Sequence, residues 1–562
     1  MKHLSALLLL LTLTLQARAD ELIDRLMATG FFTSVTEYQP KDRKELEPEY
    51  WQSVYELRYQ QPLCHANPSL GTFSLRAILV LNSNNEDRLN APVNQVYIGG
   101  YEIQEVCDKA DFCYPGKNSC SEIAYHYGGN VLYPEHRYFG QSCPTQEWNR
   151  LEYCNADEAA QDFAALTKAF HKAMGGKVVL TGVSKGGICT SIQSILQPDC
   201  ADLFISYAGP WCQGQGDERL INYVYNNTFV LPTGNELHTN YEALMTRMLS
   251  ESVVRQHYQS WYHKLFPKEA ITNFLYIFYS MSNEIACYVS RENLTKFFAQ
   301  VPPAQMTPSE LGYYLACNKA DSLNHAAYLR AVAKYGDALQ PVPASRNRGP
   351  QEMGWAGLRP DAVSEYDFNN QESMPYYYQA SRELGYYRLV PLNRYYTSTT
   401  EAQQLREADL AFLNTQQTNL PFSVMKFSYS DALYQRIMQG TRNTQRPVIY
   451  LYGGDDFWTG AAIEDQYING NNVRKFILEG QNHNVAISGI RGTSYETTTA
   501  QQLWDLVDSA LRGQSSAIDT IDADDAATDS SDAATSRRVI LRDGHLLIEQ
   551  GQRTYDLNGR LR

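Results

Sequence analysis

The chain has 562 residues, of which 43% are hydrophobic and 20% charged, and its formal net charge is −14. That length exceeds one simple core, and that composition excludes a chain disordered throughout. The acidic balance argues against nucleic acid or an anionic membrane as the main partner, since both reward a basic face.

The first residues read as a secretory signal. Lys2 and His3 give a basic start, Leu7 to Leu15 a Leu-rich core, and Ala17-Arg18-Ala19 an A-x-A cleavage site. The apolar stretch is too short to span a bilayer. The expectation is an exported protein that begins near Asp20 and has no membrane span, located outside the cell, at its surface or in a periplasm. Eleven Cys lie between Cys64 and Cys317. In an exported chain they read as disulfides with at least one thiol left over, and Cys189 is the candidate for it.

Extended stretches come next, at Ser53–Tyr59 and Thr72–Val80. A repeating pattern then begins. Val93–Ile98 and Asn130–Tyr133 are apolar runs. Residues 157–174 have helical spacing, with Ala160, Phe163, Leu166 and Phe170 on one face. Lys177–Thr181 is a short β-branched run, followed by a Gly-rich turn, a helical stretch Ile188–Leu196 and a strand Leu203–Tyr207. Strands alternating with helices imply a mainly parallel sheet. From 213 to 444 the chain is helical in flavour and rich in Tyr. Strand–helix order resumes at Val448–Tyr452 and Val473–Leu478 and ends with Ala500–Leu511.

The expected organisation is a signal at 1–19 and an α/β core in two parts, 20–212 and 445–513. A mostly helical cap, 213–444, interrupts that core. Residues 514–537 carry six Asp and no aromatic residue, which reads as a solvated acidic linker. The tail, 538–562, holds the turn pairs Asp543-Gly544 and Asn558-Gly559 and reads as short hairpins.

The strongest local signal is Gly182-Val183-Ser184-Lys185-Gly186-Gly187. G-x-S-x-G alone is weak, but here a β-branched strand precedes it and a helix follows. That is a nucleophile elbow, and it points to an α/β-hydrolase fold with Ser184 as nucleophile. In that fold the acid and then the base follow the Ser in sequence. Only His483 and His545 come after the insertion, and His545 lies beyond the acidic linker, so His483 is the base by elimination. The acid belongs to the turn after Val448–Tyr452, where spacing alone leaves Asp455 and Asp456 open. Two backbone N–H groups are expected to hold the oxyanion: that of Lys185, and that of Tyr101 in the Gly99-Gly100-Tyr101 loop. No motif for a metal or an organic cofactor is present, and none is expected.

Several segments together resemble a known family. They are Glu135-His136-Arg137-Tyr138-Phe139, Ser142-x-Pro144, Trp148-x-x-Leu151, Ala159-Ala160-x-Asp162 and the elbow itself. With the opening Gln61-Pro62-Leu63-x-His65-x-x-Pro68, they are similar to the secreted PS-10 (S37) serine peptidases, relatives of the S28 prolyl carboxypeptidase and dipeptidyl-peptidase II group. The resemblance implies an exopeptidase, typically a tripeptidyl aminopeptidase with a proline preference near the cut, acting on peptide substrates. The family pattern Y-G-x-x-D-P-W falls on Tyr452 to Trp458, which implies Asp456 as the acid and Trp458 beside the substrate, with Phe457 in place of the Pro. An aminopeptidase needs a carboxylate for the substrate's α-amine, and Glu102 and Glu135 are the candidates. A Pro-X carboxypeptidase, an esterase and a catalytically silent surface or binding protein are the alternatives. The tail resembles short C-terminal segments of exported bacterial proteins, which implies recognition by export or surface-sorting machinery.

Overall fold

The computed structural model describes residues 21–38, 51–82, 87–103, 119–144, 148–214, 217–223 and much of 239–267. It further describes 303–317, 325–335, 373–385, 428–489, 494–513 and three short strands between 537 and 556. The expected signal, the acidic stretch 514–536 and large parts of the expected cap lie outside the described residues.

One sheet organises the chain. Its strands are β1 (Phe32–Glu37), β2 (Trp51–Pro62), β3 (Thr72–Asn82), β4 (Val93–Tyr97), β5 (Val131–Pro134), β6 (Lys177–Val183), β7 (Leu203–Tyr207), β8 (Val448–Gly453) and β9 (Val473–Leu478). They lie side by side in the order β1-β2-β3-β5-β4-β6-β7-β8-β9. The first three strands and the β3–β5 pair are antiparallel. From β5 to β9 every pairing is parallel. With helices on both faces and the Ser184 turn at the carboxyl end of β6, this is the α/β-hydrolase fold. β1 and the short helix Glu122–Tyr127 are additions to the sequence reading, too short to show a period.

The strands are buried on both sides, so alternate residues feed different cores. Val178 and Leu180 of β6 pack with Phe163, Leu166 and Phe170 of the helix Ala156–Met174 and with Ile188 and Ile192 of the helix Lys185–Leu196. Val179, between them, joins the opposite core with Ile123 and with Leu503, Leu506 and Val507 of the helix Ser494–Leu511. The helix Ala156–Met174 starts where Asn155 Oδ1 accepts the Glu158 N–H at 2.9 Å, a side-chain cap. Asp157 and Glu158 in its first turn complement the helix dipole.

Between β7 and β8 the described segments are helical: Glu218–Tyr223, Ser252–Leu265, Pro308–Cys317, His325–Tyr335, Ser373–Gln379 and Ala432–Asn443. Ser373–Gln379 runs on into a π-helical turn, Ala380–Leu384. None of the helices among the described residues is long and apolar enough to cross a membrane. Beyond the acidic stretch, three antiparallel strands, β10 (Arg537–Arg542), β11 (His545–Gln550) and β12 (Arg553–Asp556), form a second sheet, with Asp543-Gly544 between the first two.

A buried ionic cluster ties the early motifs together. Arg137 is completely buried. Its Nε and Nη2 donate to Asp162 at 2.6 and 2.9 Å, a two-pronged contact, and its Nη1 donates to the Leu63 and Tyr153 carbonyls. Nη2 also reaches the Pro62 carbonyl at 3.1 Å, and His65 Nε2 lies 2.8 Å from Asp162 Oδ1. One guanidinium thus joins the end of β2, the loop after β5 and the helix Ala156–Met174.

The expected disulfides are corrected at four positions: Cys64, Cys154, Cys200 and Cys212 are thiols, and so is Cys189, the expected free one. All but Cys64 are buried, on separate elements of the core. Burial pushes Cys154 and Cys200 up to about 12 and Cys189 up to about 11, so these groups behave as small apolar side chains rather than reactive thiolates. Cys107, Cys113, Cys287 and the Cys317 side chain lie outside the described residues.

The ionic cluster gives a stability prediction. Arg137→Leu strands the Asp162 carboxylate in the core and is expected to cost about 3–5 kcal/mol of unfolding free energy. Breaking the exposed Arg436–Asp157 pair with Arg436→Ala should cost about 0–1 kcal/mol. Urea unfolding of the two variants against the parent checks the difference.

Candidate active site

The turn after β6 is built by close backbone packing. Ser184 has φ 57° and ψ −121°, a conformation that side-chain-bearing residues rarely adopt. It is held from both sides: its N–H donates to the Tyr207 carbonyl at 3.0 Å, and its carbonyl accepts the Ile188 N–H at 3.0 Å. A Cβ on Gly186 would overlap the Ile98 carbonyl, and one on Gly182 would overlap both Ile98 and Gly186. The glycines two before and two after Ser184 are therefore required by space.

The candidate acid and base lie on the loops after β8 and β9, with β7 between them and the elbow strand. The turn after β8 is tied to the loop after β9 by the Gly454 N–H to the Leu478 carbonyl and the Asp455 N–H to the Gln481 carbonyl, both 2.8 Å. His483 Nδ1 lies 2.7 Å from Asp456 Oδ2, and both side chains are buried. The other oxygen, Oδ1, accepts the Trp458 N–H at 3.0 Å and caps the short helix Phe457–Ala461. A carboxylate only accepts, so Nδ1 carries the proton and Nε2 is the basic nitrogen. Of the two adjacent carboxylates it is Asp456 that meets His483. The half-buried Trp458 ring lies 6.3 Å from the imidazole, centre to centre.

The loop after β4 is anchored along its length. The Ile98 N–H donates to the Thr181 carbonyl at 2.7 Å, and the Tyr101 carbonyl accepts the His136 N–H at 3.0 Å. The Ile103 N–H donates to Glu135 Oε1 at 3.0 Å. Gly100 has φ 82°, and a Cβ there would sit 3.0 Å from the Gly186 nitrogen and 3.1 Å from the Lys185 carbonyl carbon. The loop and the elbow are thus in direct backbone contact, which places the amides of Lys185 and Tyr101 on neighbouring segments.

Glu135 is a correction. It was expected as a ligand for an α-amine, but its side chain is completely buried. Oε1 is taken by the Ile103 N–H and Oε2 by the Ser142 hydroxyl at 2.8 Å. Burial pushes the carboxyl up to about 7 against the lowering effect of those donors. Glu135 is a brace between β5 and the loop. Glu102, on that loop, is half-buried and keeps its candidacy.

Glu122 is a site-building residue that the sequence reading missed. It is buried, and its carboxylate accepts the Tyr207 hydroxyl at 2.6 Å and the N–H groups of Ile487 and Ser488 at 3.1 and 2.7 Å. It therefore pins the chain just after His483 to the end of β7. No local pattern marks it, since its backbone partners lie more than 300 residues further on.

Comparison with known proteins fits this geometry. A family model described as serine carboxypeptidase S28 matches residues 89–210, which include the elbow and the Arg137 motif. A prolyl tri/tetrapeptidyl aminopeptidase of Streptomyces mobaraensis is 25% identical over 207 residues. That match covers 36% of this chain and 38% of the relative's length. Solved structures with similarity include feruloyl esterase B from Aspergillus oryzae, with a TM-score of 0.32 and 12% identity, covering 94% of this chain and 92% of that one. The peroxisomal α/β-hydrolase Lpx1 of Saccharomyces cerevisiae has a TM-score of 0.30 and 10% identity, covering 88% and 93%. Likeness at that level is slight, and the fold rests on the strand order above. The family match and the relative support a serine hydrolase of the S28/S37 peptidase type.

Two outcomes are expected. Asp456→Asn should slow fluorophosphonate labelling of Ser184 on the order of 10⁴-fold, because the imidazole loses its oriented tautomer. Asp455→Asn should stay within about tenfold of the parent, since Asp455 does not hold His483. Intact-mass kinetics read both. Glu135 carries a pH signature. Its folded value, about 7, lies above the 4.5 of an ordinary Glu, so its stabilising contribution is full below about 4.5 and is lost as pH rises through 7. Melting curves from pH 5 to 8 should fall less steeply in Glu135→Gln than in the parent.

Proposed function

We propose that the chain is an exported serine exopeptidase that releases short peptides, tripeptides with a proline preference, from free N-termini. The observation that carries this reading is the Asp456–His483 pair set at the same sheet edge as the Ser184 elbow. The similarity to a prolyl tri/tetrapeptidyl aminopeptidase supports the substrate class.

In this reading Ser184 Oγ attacks the scissile carbonyl carbon while His483 Nε2 takes the hydroxyl proton. Asp456 stabilises the imidazolium through Nδ1. The amides of Lys185 and Tyr101 hold the oxyanion, each donor worth roughly 3–4 kcal/mol in comparable sites. As the C–N bond breaks, the imidazolium gives its proton to the leaving amine, and an acyl-enzyme remains. Water then attacks the ester with His483 again as base, which frees the short peptide and restores Ser184. Glu102 pairs with the substrate's α-ammonium, and Trp458 offers a flat apolar wall beside His483. The N-terminal signal delivers the chain outside the cell, and β10 to β12 serve as its sorting or surface element.

A Pro-X carboxypeptidase is the second reading, favoured by the description of the matching family. Blocking the N-terminus separates the two. Wild type is expected to cleave a fluorogenic Ala-Ala-Pro-X peptide and to leave its N-acetylated twin intact, with activity absent in Ser184→Ala. Cleavage of the acetylated twin would favour the carboxypeptidase, and turnover of simple esters without either peptide would favour an esterase.

A further inference from the structure

The nucleophile's neighbour, Lys185, has a side chain that the reaction scheme above leaves unused. It is 2% exposed, an unusual place for a Lys, and no ion pair joins it to a carboxylate among the described residues. Its Nζ donates to the Gly100 carbonyl. The ammonium also lies over two aromatic faces, 4.2 Å from the centre of the Phe139 ring and 5.0 Å from that of Tyr101. The Lys185 Cγ sits where a Gly100 Cβ would be 3.2 Å away, so the stem packs directly on the loop.

The peptide that Nζ holds is the one that matters. The carbonyl of Gly100 and the N–H of Tyr101 belong to a single peptide unit, and no peptide bond among the described residues is cis. In a trans unit the two groups point in opposite directions. A cation fixed on the carbonyl therefore fixes the direction of the N–H and draws electron density away from it, which makes it a stronger donor. We infer that Lys185 is a positioning residue that supplies one oxyanion donor through its own amide and sets the second by gripping the Gly100–Tyr101 peptide from behind. The inference rests on the serine-hydrolase reading of Ser184 and is independent of the substrate class.

The surroundings favour a cation that can lose its proton within an accessible range. Burial brings Lys185 down to about 8; the facing thiols of Cys189, on its own helix, and Cys154, before the helix Ala156–Met174, are neutral there, and the facing carboxyl is Glu383 in the π-helical turn. Glu383 is itself pushed up to about 7 by burial, so its counter-charge is partial near neutrality. His136, on the loop after β5, is held neutral by burial and by the Lys185 charge. Above pH 8 the grip passes from an ammonium to a neutral amine.

The test uses the full-length protein and a fluorophosphonate probe, which phosphonylates Ser184 with loss of fluoride, sets its phosphoryl oxygen where the oxyanion would lie, and has no titrating amine of its own. Wild type should show a labelling rate that declines as pH rises through about 8. Lys185→Met keeps the apolar stem but has no donor. It should label on the order of 10- to 100-fold more slowly at pH 7, with that decline abolished. Lys185→Gln retains an uncharged donor and should fall between the two, also without the decline. A peptide aldehyde, which mimics the oxyanion, should lose affinity in the variants by the same factor as labelling, while KM for substrate changes little. Wild-type labelling flat to pH 9, or a folded Met variant that labels at the wild-type rate, would overturn the positioning role. Absence of any labelling in wild type would overturn the Ser184 reading and this one with it.

Discussion

The site depends on how closely two stretches of backbone approach each other at the carboxyl ends of β4 and β6. Gly186 lies against the Ile98 carbonyl, and Gly100 lies against the Lys185–Gly186 peptide. A side chain at either glycine would push the two loops apart. In the proposed reaction the oxyanion donors are one amide from each loop, so that separation is also the width of the pocket they would form. Strain at Ser184 is retained because the strand before it, the helix after it and the Tyr207 carbonyl all constrain the same residue.

Buried charge does the bracing around that contact, and it does so from a distance. Arg137, Glu135 and Glu122 are each buried, and each uses its side chain mainly to satisfy backbone groups or buried carboxylates from other parts of the chain. A hydrophobic core fills space without specifying direction. These polar braces specify direction: Glu135 on the loop after β4, Glu122 on the chain after His483, Arg137 on the end of β2. The early motif segments are accordingly concerned more with holding the frame than with the reaction.

Legibility in the sequence followed locality. The sheet strands and the helices at 157–174 and 188–196 were readable because their periods are complete within a few turns. Ser184 was readable because the elbow is a local steric device. His483 came from elimination; spacing left Asp455 and Asp456 open, the family resemblance implied Asp456, and it is Asp456 that meets His483, 27 positions on. Glu135 was misread because a carboxylate that braces backbone and one that binds a ligand look alike in sequence; only burial separates them. Glu122 was invisible for the same reason. The expected disulfides came from a compartment argument, and at Cys154, Cys200 and Cys212 the packing of the core took precedence over it.

The order of the strands has a consequence for how the molecule comes into being. Ser184 and the oxyanion loop lie on β4 and β6, while Asp456 and His483 arrive only with β8 and β9, after the long intervening segment. In the proposed reaction, the nucleophile half emerges during synthesis well before its acid and base exist. Docking β8 onto β7 closes a loop of more than two hundred residues, a non-local pairing that is slow because its entropy must be met before any contact forms. On that reading the nascent chain is inert by construction, and Ser184 becomes reactive only when the last strands of the sheet have joined it.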